Sequence, residues 1–179
     1  MKFRDLTANE IEVRVSRITN AGVELLLFKD SRCDMRILDE TVGAENWQNE
    51  FYDCKGTLFC KVGIRIGHNG DLFDWVWKGN AGAPSNMEAQ KGEASDAFKR
   101  ACFTWGIGRE LYTAPRIFVY GDKCKSLKQG KNGKMQCYDH FSVAKIKVVD
   151  GRIVGLAIRN DDTGKVVFTY VEDGYGKER

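Results

Sequence analysis

The chain has 179 residues, 42% hydrophobic and 11% aromatic, enough for one well-buried domain of ordinary size and too few for two large ones. Its 28 basic and 25 acidic side chains leave a net charge of +3. That balance excludes a disordered or fibrous chain and argues against a protein acting through bulk charge alone. No apolar run approaches the ~20 residues that cross a bilayer, and Met1-Lys2-Phe3-Arg4-Asp5 lacks the apolar stretch of a secretory signal. A cytoplasmic protein without a membrane partner is the expectation. In a reducing compartment the cysteines Cys33, Cys54, Cys60, Cys102, Cys124 and Cys137 read as free thiols or metal ligands.

Leu6, Ile11, Val15 and Ile18 recur at mostly helical spacings and predict a short helix over residues 6–18, although Val13 falls off its face. An apolar run follows at 22–28. Met35, Ile37, Leu38 and Val42 predict a second helix over 34–41, with Gly43 as its stop. Residues 47–52 alternate loosely, as a strand does.

The middle of the chain is clearer. Leu58, Cys60, Val62, Ile64 and Ile66 share one period-2 face, with Lys61 and Arg65 on the other. His68-Asn69-Gly70-Asp71 supplies turn residues, and Phe73, Trp75 and Trp77 form one face of the next strand, so residues 58–78 predict a β-hairpin. That aromatic face reads as core or subunit contact, lying on the same side of the sheet as Val62, Ile64 and Ile66; base stacking is the alternative. After a loop at 79–84, Ser85 and Glu88 form a capping box for a long helix over 86–105 that ends at Gly106 and Gly108. Met87, Ala94, Phe98, Ala101 and Trp105 make its buried stripe. Strands are expected at 116–120, 141–149, 153–159 and 166–170, the last three joined by Asp150-Gly151 and by 161–165. The fold class is therefore α+β: an antiparallel sheet with a prominent hairpin packed against one long helix, as a single domain over 1–179.

Enzyme signatures are absent where they would be needed. Gly130-Lys131-Asn132-Gly133-Lys134 lacks the spacing and the Ser/Thr of a phosphate-cradling loop. Gly106-Ile107-Gly108 lacks the third glycine of a dinucleotide site. Glu93 and Asp96, three apart, could face together as a metal-nuclease pair, but a helix-start position for Glu93 and an i,i+4 pairing of Asp96 with Arg100 explain them. Cys124, Cys137 and His140 have softish-ligand character without an evident fourth ligand for zinc. No catalytic residue, metal or cofactor is expected.

Charge is unevenly distributed. Residues 1–60 carry 8 basic and 11 acidic side chains, and residues 121–179 carry 12 and 8. Lys123, Lys125, Lys128, Lys131 and Lys134 crowd into twelve positions, readable as a solvated loop or as a phosphate-contacting arm. On the long helix, Lys91, Ser95 and Lys99 form a polar line with Arg100 at its border, readable as a solvated face or an anion-binding ridge.

Three stretches in this order resemble the Rad52-type single-strand annealing proteins, the eukaryotic strand-break repair mediator and its bacteriophage relatives. They are Asp39-Glu40-Thr41-Val42-Gly43-Ala44-Glu45-Asn46-Trp47-Gln48, the hairpin, and the run from Lys91 to Tyr112 containing Ala94-Ser95-Asp96-Ala97-Phe98-Lys99-Arg100-Ala101. The resemblance covers about residues 30–112, and the short chain looks like a phage version holding only the annealing core. It implies a homo-oligomeric ring that binds single-stranded DNA in an outer groove and anneals complementary strands without ATP or covalent catalysis. Lys99 and Arg100 would lie in that groove. A further basic position of the eukaryotic form is Phe103 here, and another corresponds approximately to Arg32, with Arg36 as its substitute. Lys61 and Arg65 are candidates for the upper groove wall or a second strand. A single-strand-binding protein or a phage exonuclease in a bacterial host's cytoplasm would be the protein partners. A metal-dependent nuclease and a structural adaptor are the competing classes.

Overall fold

Residues 6–18 do not form the expected helix. Ile11, Val13 and Val15 are β-branched and alternate, and this period-2 pattern prevails over the helical spacings around it. Only a single helical turn, Ala8–Glu10, forms, with the Thr7 amide and hydroxyl both donating to Glu10 Oε2 at 2.9 Å. Strand β1 (Ile11–Thr19) then pairs antiparallel with β2 (Gly22–Lys29) across the two-residue turn Asn20-Ala21. The structure, a computed structural model, describes residues 1–67, 72–83 and 89–175, with backbone alone at 89–91. The expected turn at His68–Asp71 and the capping box of Ser85 and Glu88 lie outside the described residues.

Helix α1 (Ser31–Val42) starts one turn earlier than expected because the Asp30 side chain accepts the Arg32 amide at 2.8 Å. It stops at Gly43, whose φ of 87° suits glycine. Asn46 Nδ2 donates to Val42 O at 2.8 Å and the Trp47 indole donates to Asp39 Oδ1 at 2.6 Å. The stretch from Asp39 to Gln48 thus works locally as a helix stop that leads into β3 (Trp47–Cys54). Strand β4 (Thr57–Gly67) follows through Lys55 and Gly56, both at positive φ, the geometry of a tight hairpin turn. With β5 (Phe73–Ala81) these strands make a three-stranded sheet in the order β3-β4-β5. Helix α2 (Ala89–Trp105) closes this part and ends at Gly106 and Gly108, with φ of 112° and 73°.

The remaining strands are β6 (Ile117–Tyr120), the two-residue β7 (Lys128–Gln129) and β8 (Met135–Gln136), β9 (Phe141–Val149), β10 (Arg152–Asn160) and β11 (Lys165–Val171). Together with β1 and β2, the longer ones form a six-stranded antiparallel sheet ordered β11-β10-β9-β1-β2-β6. Its outer strands curl toward each other, giving a near-barrel. Val23, Leu25, Ile117, Val119, Val143 and Ile158 are almost wholly buried within it. Glu110, also buried, accepts the Leu6 amide at 2.7 Å, while burial pushes its carboxyl above the ordinary value.

The chain falls into two compact units: residues 1–4 with 30–108, and residues 5–29 with the chain from 109 onward. Both are antiparallel, so the class is α+β as expected, but the described residues hold two helices and two principal sheets rather than one sheet under one helix. No helix among the described residues is long and apolar enough to cross a membrane.

Candidate nucleic-acid interface

Strand pairing decides which side chains meet. Trp47 and Val76 lie opposite Ile64, and Asn49 and Lys78 lie opposite Val62. Directly opposed residues share a face, and on this one Cys60, Val62 and Ile64 are fully buried. Helix α2 covers it with Ala97, Phe98, Ala101 and Cys102, all buried. The Phe98 ring lies 6.1 Å from that of Trp47, and Trp105 Nε1 donates to Val62 O at 2.9 Å. Burial pushes the Cys60 thiol up to about 11, which leaves it a small protonated side chain in the core.

The aromatic face of the hairpin lies on the other side. Gly63 pairs with Trp77 and Arg65 with Trp75, so Phe73, Trp75 and Trp77 join Lys61 and Arg65 rather than Val62, Ile64 and Ile66. This corrects the expectation that both stripes cover one face. It also removes the core reading, since Phe73 and Trp77 are 44% and 36% exposed. The Trp77 indole lies flat over Gly63, where a Cβ would come within 2.9 Å of the ring. Lys61 Nζ is 4.7 Å from the Trp77 ring centre, 6.0 Å from that of Tyr52 and 3.0 Å from Glu50 Oε2. The Arg65 guanidinium stacks 3.5 Å over Phe73, and Tyr52 stacks on Phe59 at 5.4 Å. Cations resting on ring faces and flat rings beside them can contact phosphates and bases together.

The sheet therefore separates the basic residues singled out by sequence. Lys99 is half-buried on α2 and carries no ion pair among the described residues. Arg100 is exposed and donates through Nε to Asp96 Oδ2 at 2.7 Å. Lys61 and Arg65 lie across the sheet from that helix. Arg32 and Arg36, one turn apart, share the exposed side of α1, opposite its buried Cys33, Ile37 and Leu38, and Arg32 Nε bonds the Asp30 cap at 2.8 Å. The Lys91 side chain lies outside the described residues. Sequence reading passed over Lys78, whose Nζ sits 4.4 Å over the Trp105 ring on the helix side. Its alternation with Trp75 and Trp77, which puts it on the other face of the strand, was the available signal.

The two candidate nuclease acids are both occupied, Glu93 in tying the helix to β4 and Asp96 in tying it to the loop after β5. Glu93 Oε1 accepts the Leu58 amide at 3.3 Å, and Asp96 Oδ2 accepts the Ala83 amide at 2.9 Å beside Arg100. Their positions are explained by these bonds.

One group among the described residues brings metal-ligand atoms together: Cys124, Cys137 and Asp139, within 4.8 Å of one another. His140 is not part of it; its Nδ1 lies 3.1 Å from Asp162 Oδ2. Asp139 Oδ2 accepts Lys125 N at 2.6 Å and Asn160 Nδ2 at 2.7 Å, while Oδ1 accepts the Ser126 amide and hydroxyl. These four bonds use all the lone-pair directions of a carboxylate. Burial, with Cys137 and Asp139 close by, pushes the Cys124 thiol up to about 12, so it is protonated at neutral pH. A metal here would have to strip that proton and displace a donor from Asp139.

Residues 7–132 match the family described as Rad52/22 family double-strand break repair protein. The chain belongs to the Rad52/22 family. The match takes in α1, the three-stranded sheet and α2, and it extends back to β1 and forward through β6 and β7, beyond the stretches that carried the sequence resemblance. No curated protein matches the chain.

Proposed function

We propose that this Rad52/22-family chain binds single-stranded DNA along α2 and anneals complementary strands without ATP, as a homo-oligomeric ring of the phage recombinase branch. Family membership over residues 7–132 carries the reading. The local chemistry is consistent with it. Annealing must relieve repulsion between two phosphate backbones while leaving bases open to pair. Lys99 and Arg100 offer, at adjacent positions, a compact ammonium and a planar guanidinium. Neither reads base identity, so pairing between strands supplies specificity and driving force, and no covalent step is required. Phosphates arriving at Arg100 compete with Asp96, an exposed pair that holds the guanidinium weakly. The open face bearing Phe73, Trp77, Lys61 and Arg65 is the surface we assign to contact between neighbouring copies or to the second strand. A single-strand-binding protein and a phage exonuclease are the protein partners this reading anticipates.

The test is annealing of complementary oligonucleotides by wild type and by Lys99→Ala/Arg100→Ala, with and without ATP, alongside sizing of both proteins. The wild type should elute many times heavier than 20.2 kDa and anneal equally well without ATP. The double variant should keep its size while its single-strand salt slope falls by about 1.4, or 0.7 for each lost phosphate contact. A folded variant that anneals at the wild-type rate removes α2 as the DNA site. Shortening of labelled DNA in magnesium or manganese would favour a nuclease instead.

A further inference from the structure

The lysine-rich stretch after β6 divides into an anchored stem and a presented tip. From Lys123 to Tyr138 there are five lysines and no acidic residue. Two of the lysines are tied back: Lys123 Nζ donates to Val167 O at 3.2 Å and Lys125 Nζ to Asp162 O at 3.3 Å. Buried Asp139 clamps the stem by receiving the amides of Lys125 and Ser126, and Ser126 Oγ in turn accepts the Tyr138 amide at 2.7 Å. Beyond this clamp β7 and β8 pair, and the tip satisfies its own backbone. Gly130 N donates to Lys134 O at 2.8 Å, Gly133 N to Gly130 O at 3.0 Å, and Gln129 Nε2 to Gly133 O at 3.0 Å.

What the tip leaves outward is uniform. Lys128, Lys131 and Lys134 are exposed and make no ion pair among the described residues. An open groove there is lined by Lys128, Gln129, Gly130, Lys131, Asn132 and Gln136. These side chains offer ammonium and amide groups with no carboxylate to repel an anion and no apolar residue to enter a lipid layer. Three cations on one short hairpin match a repeating anion better than a single ion. The backbone of a nucleic acid strand is such a ligand.

We propose that the β7–β8 hairpin is a second nucleic-acid contact, gripping the phosphodiester backbone of a strand through Lys128, Lys131 and Lys134. It rests on the reading of the protein as a DNA binder but uses no residue assigned to α2. Because the stem is hydrogen-bonded to a buried carboxylate, the hairpin presents its lysines on a framework already in place, with less ordering cost than a free loop.

The experiment measures equilibrium binding of the full chain to labelled oligo(dT) across a salt series. Lys128→Gln/Lys131→Gln/Lys134→Gln should weaken binding and lower the slope of log affinity against log salt by about 2, at 0.7 per contact. Its circular dichroism should match the wild type. A control with the same loss of charge, Lys55→Gln/Lys145→Gln/Lys165→Gln, should keep the slope. Equal losses in both triple variants would overturn the proposal, reducing the hairpin to bulk charge. A wild-type slope in the hairpin variant, with binding lost in Lys99→Ala/Arg100→Ala, would also overturn it while leaving the functional reading intact. Absence of oligonucleotide binding by the wild type would instead remove both. Binding to phosphatidylserine vesicles that the hairpin variant abolishes, with DNA binding unchanged, would assign the lysines to a membrane surface and overturn the proposal.

Discussion

The two main sheets solve the same burial problem differently. The six-stranded sheet curls until its outer strands approach, and its inner face is filled by side chains of its own strands. The three-stranded sheet is too narrow to close. Helix α2 covers one face, and the other keeps Phe73, Trp77 and Tyr52 exposed under cations. A curled sheet needs no separate element to cover its inner face, although Leu26, Tyr120, Val166 and Val171 stay exposed on its strands, whereas the narrow sheet needs α2 and still leaves one face open for contacts.

Truncating either buried face should have the largest effect. Ile158→Ala in the closed sheet and Ile64→Ala beneath α2 should each cost about 2–5 kcal/mol in urea unfolding, since both side chains are fully buried. A markedly smaller cost at Ile64 would mean that α2 packs loosely on its sheet.

Next comes the clamp beside the closed sheet. Asp139→Asn sets an amide donor against donors, with an expected loss of about 1–3 kcal/mol at neutral pH. Burial works against the charged form of Asp139, but bonds from Ser126, Lys125 and Asn160 outweigh it and hold the carboxyl below 3.8. A depressed carboxylate adds stability above its unfolded value, and that stability is lost as pH falls through the folded value. Wild type should therefore lose stability below pH 3.8 more steeply than Asp139→Asn. Glu110 has the opposite sign: burial raises its carboxyl above 4.5, so its contribution fades as pH rises through the folded value. Equal acid limbs in wild type and Asp139→Asn would show the clamp to be unimportant.

Changes on the open face should be smaller. Gly63→Ala must push the Trp77 indole aside, at about 1 kcal/mol or somewhat more, and should shift tryptophan fluorescence. Lys61→Gln/Arg65→Gln should change stability by only about 0.5 kcal/mol, yet alter oligomer size or single-strand binding if the face contacts another copy or DNA. A stability loss as large as that at Ile64 would show that this face is covered within the subunit.

Local pattern revealed much of this architecture. The alternation in β4 placed Cys60, Val62 and Ile64 together, Gly43 ended α1, Gly106 and Gly108 ended α2, and Asp150-Gly151 turned β9 into β10. The Lys99–Arg100 step was also readable, because neighbouring charges on a helix need no long-range information. The helix expected at 6–18 failed because Ile11, Val13 and Val15 pair with β2 and enter a sheet whose other strands come from more than a hundred residues away. The aromatic stripe was assigned to the wrong side because alternation specifies two faces but not the offset between paired strands.

By itself, then, the sequence determined which side chains share a face within β4 and within β5, and where α1 and α2 stop, since these depend on neighbours within a few residues. Tertiary structure alone decided that Trp77 opposes Gly63, that α2 covers Val62 and Ile64, and that Asp139 meets Asn160. Those outcomes depend on register and on contacts between distant segments, which spacing within one segment does not encode.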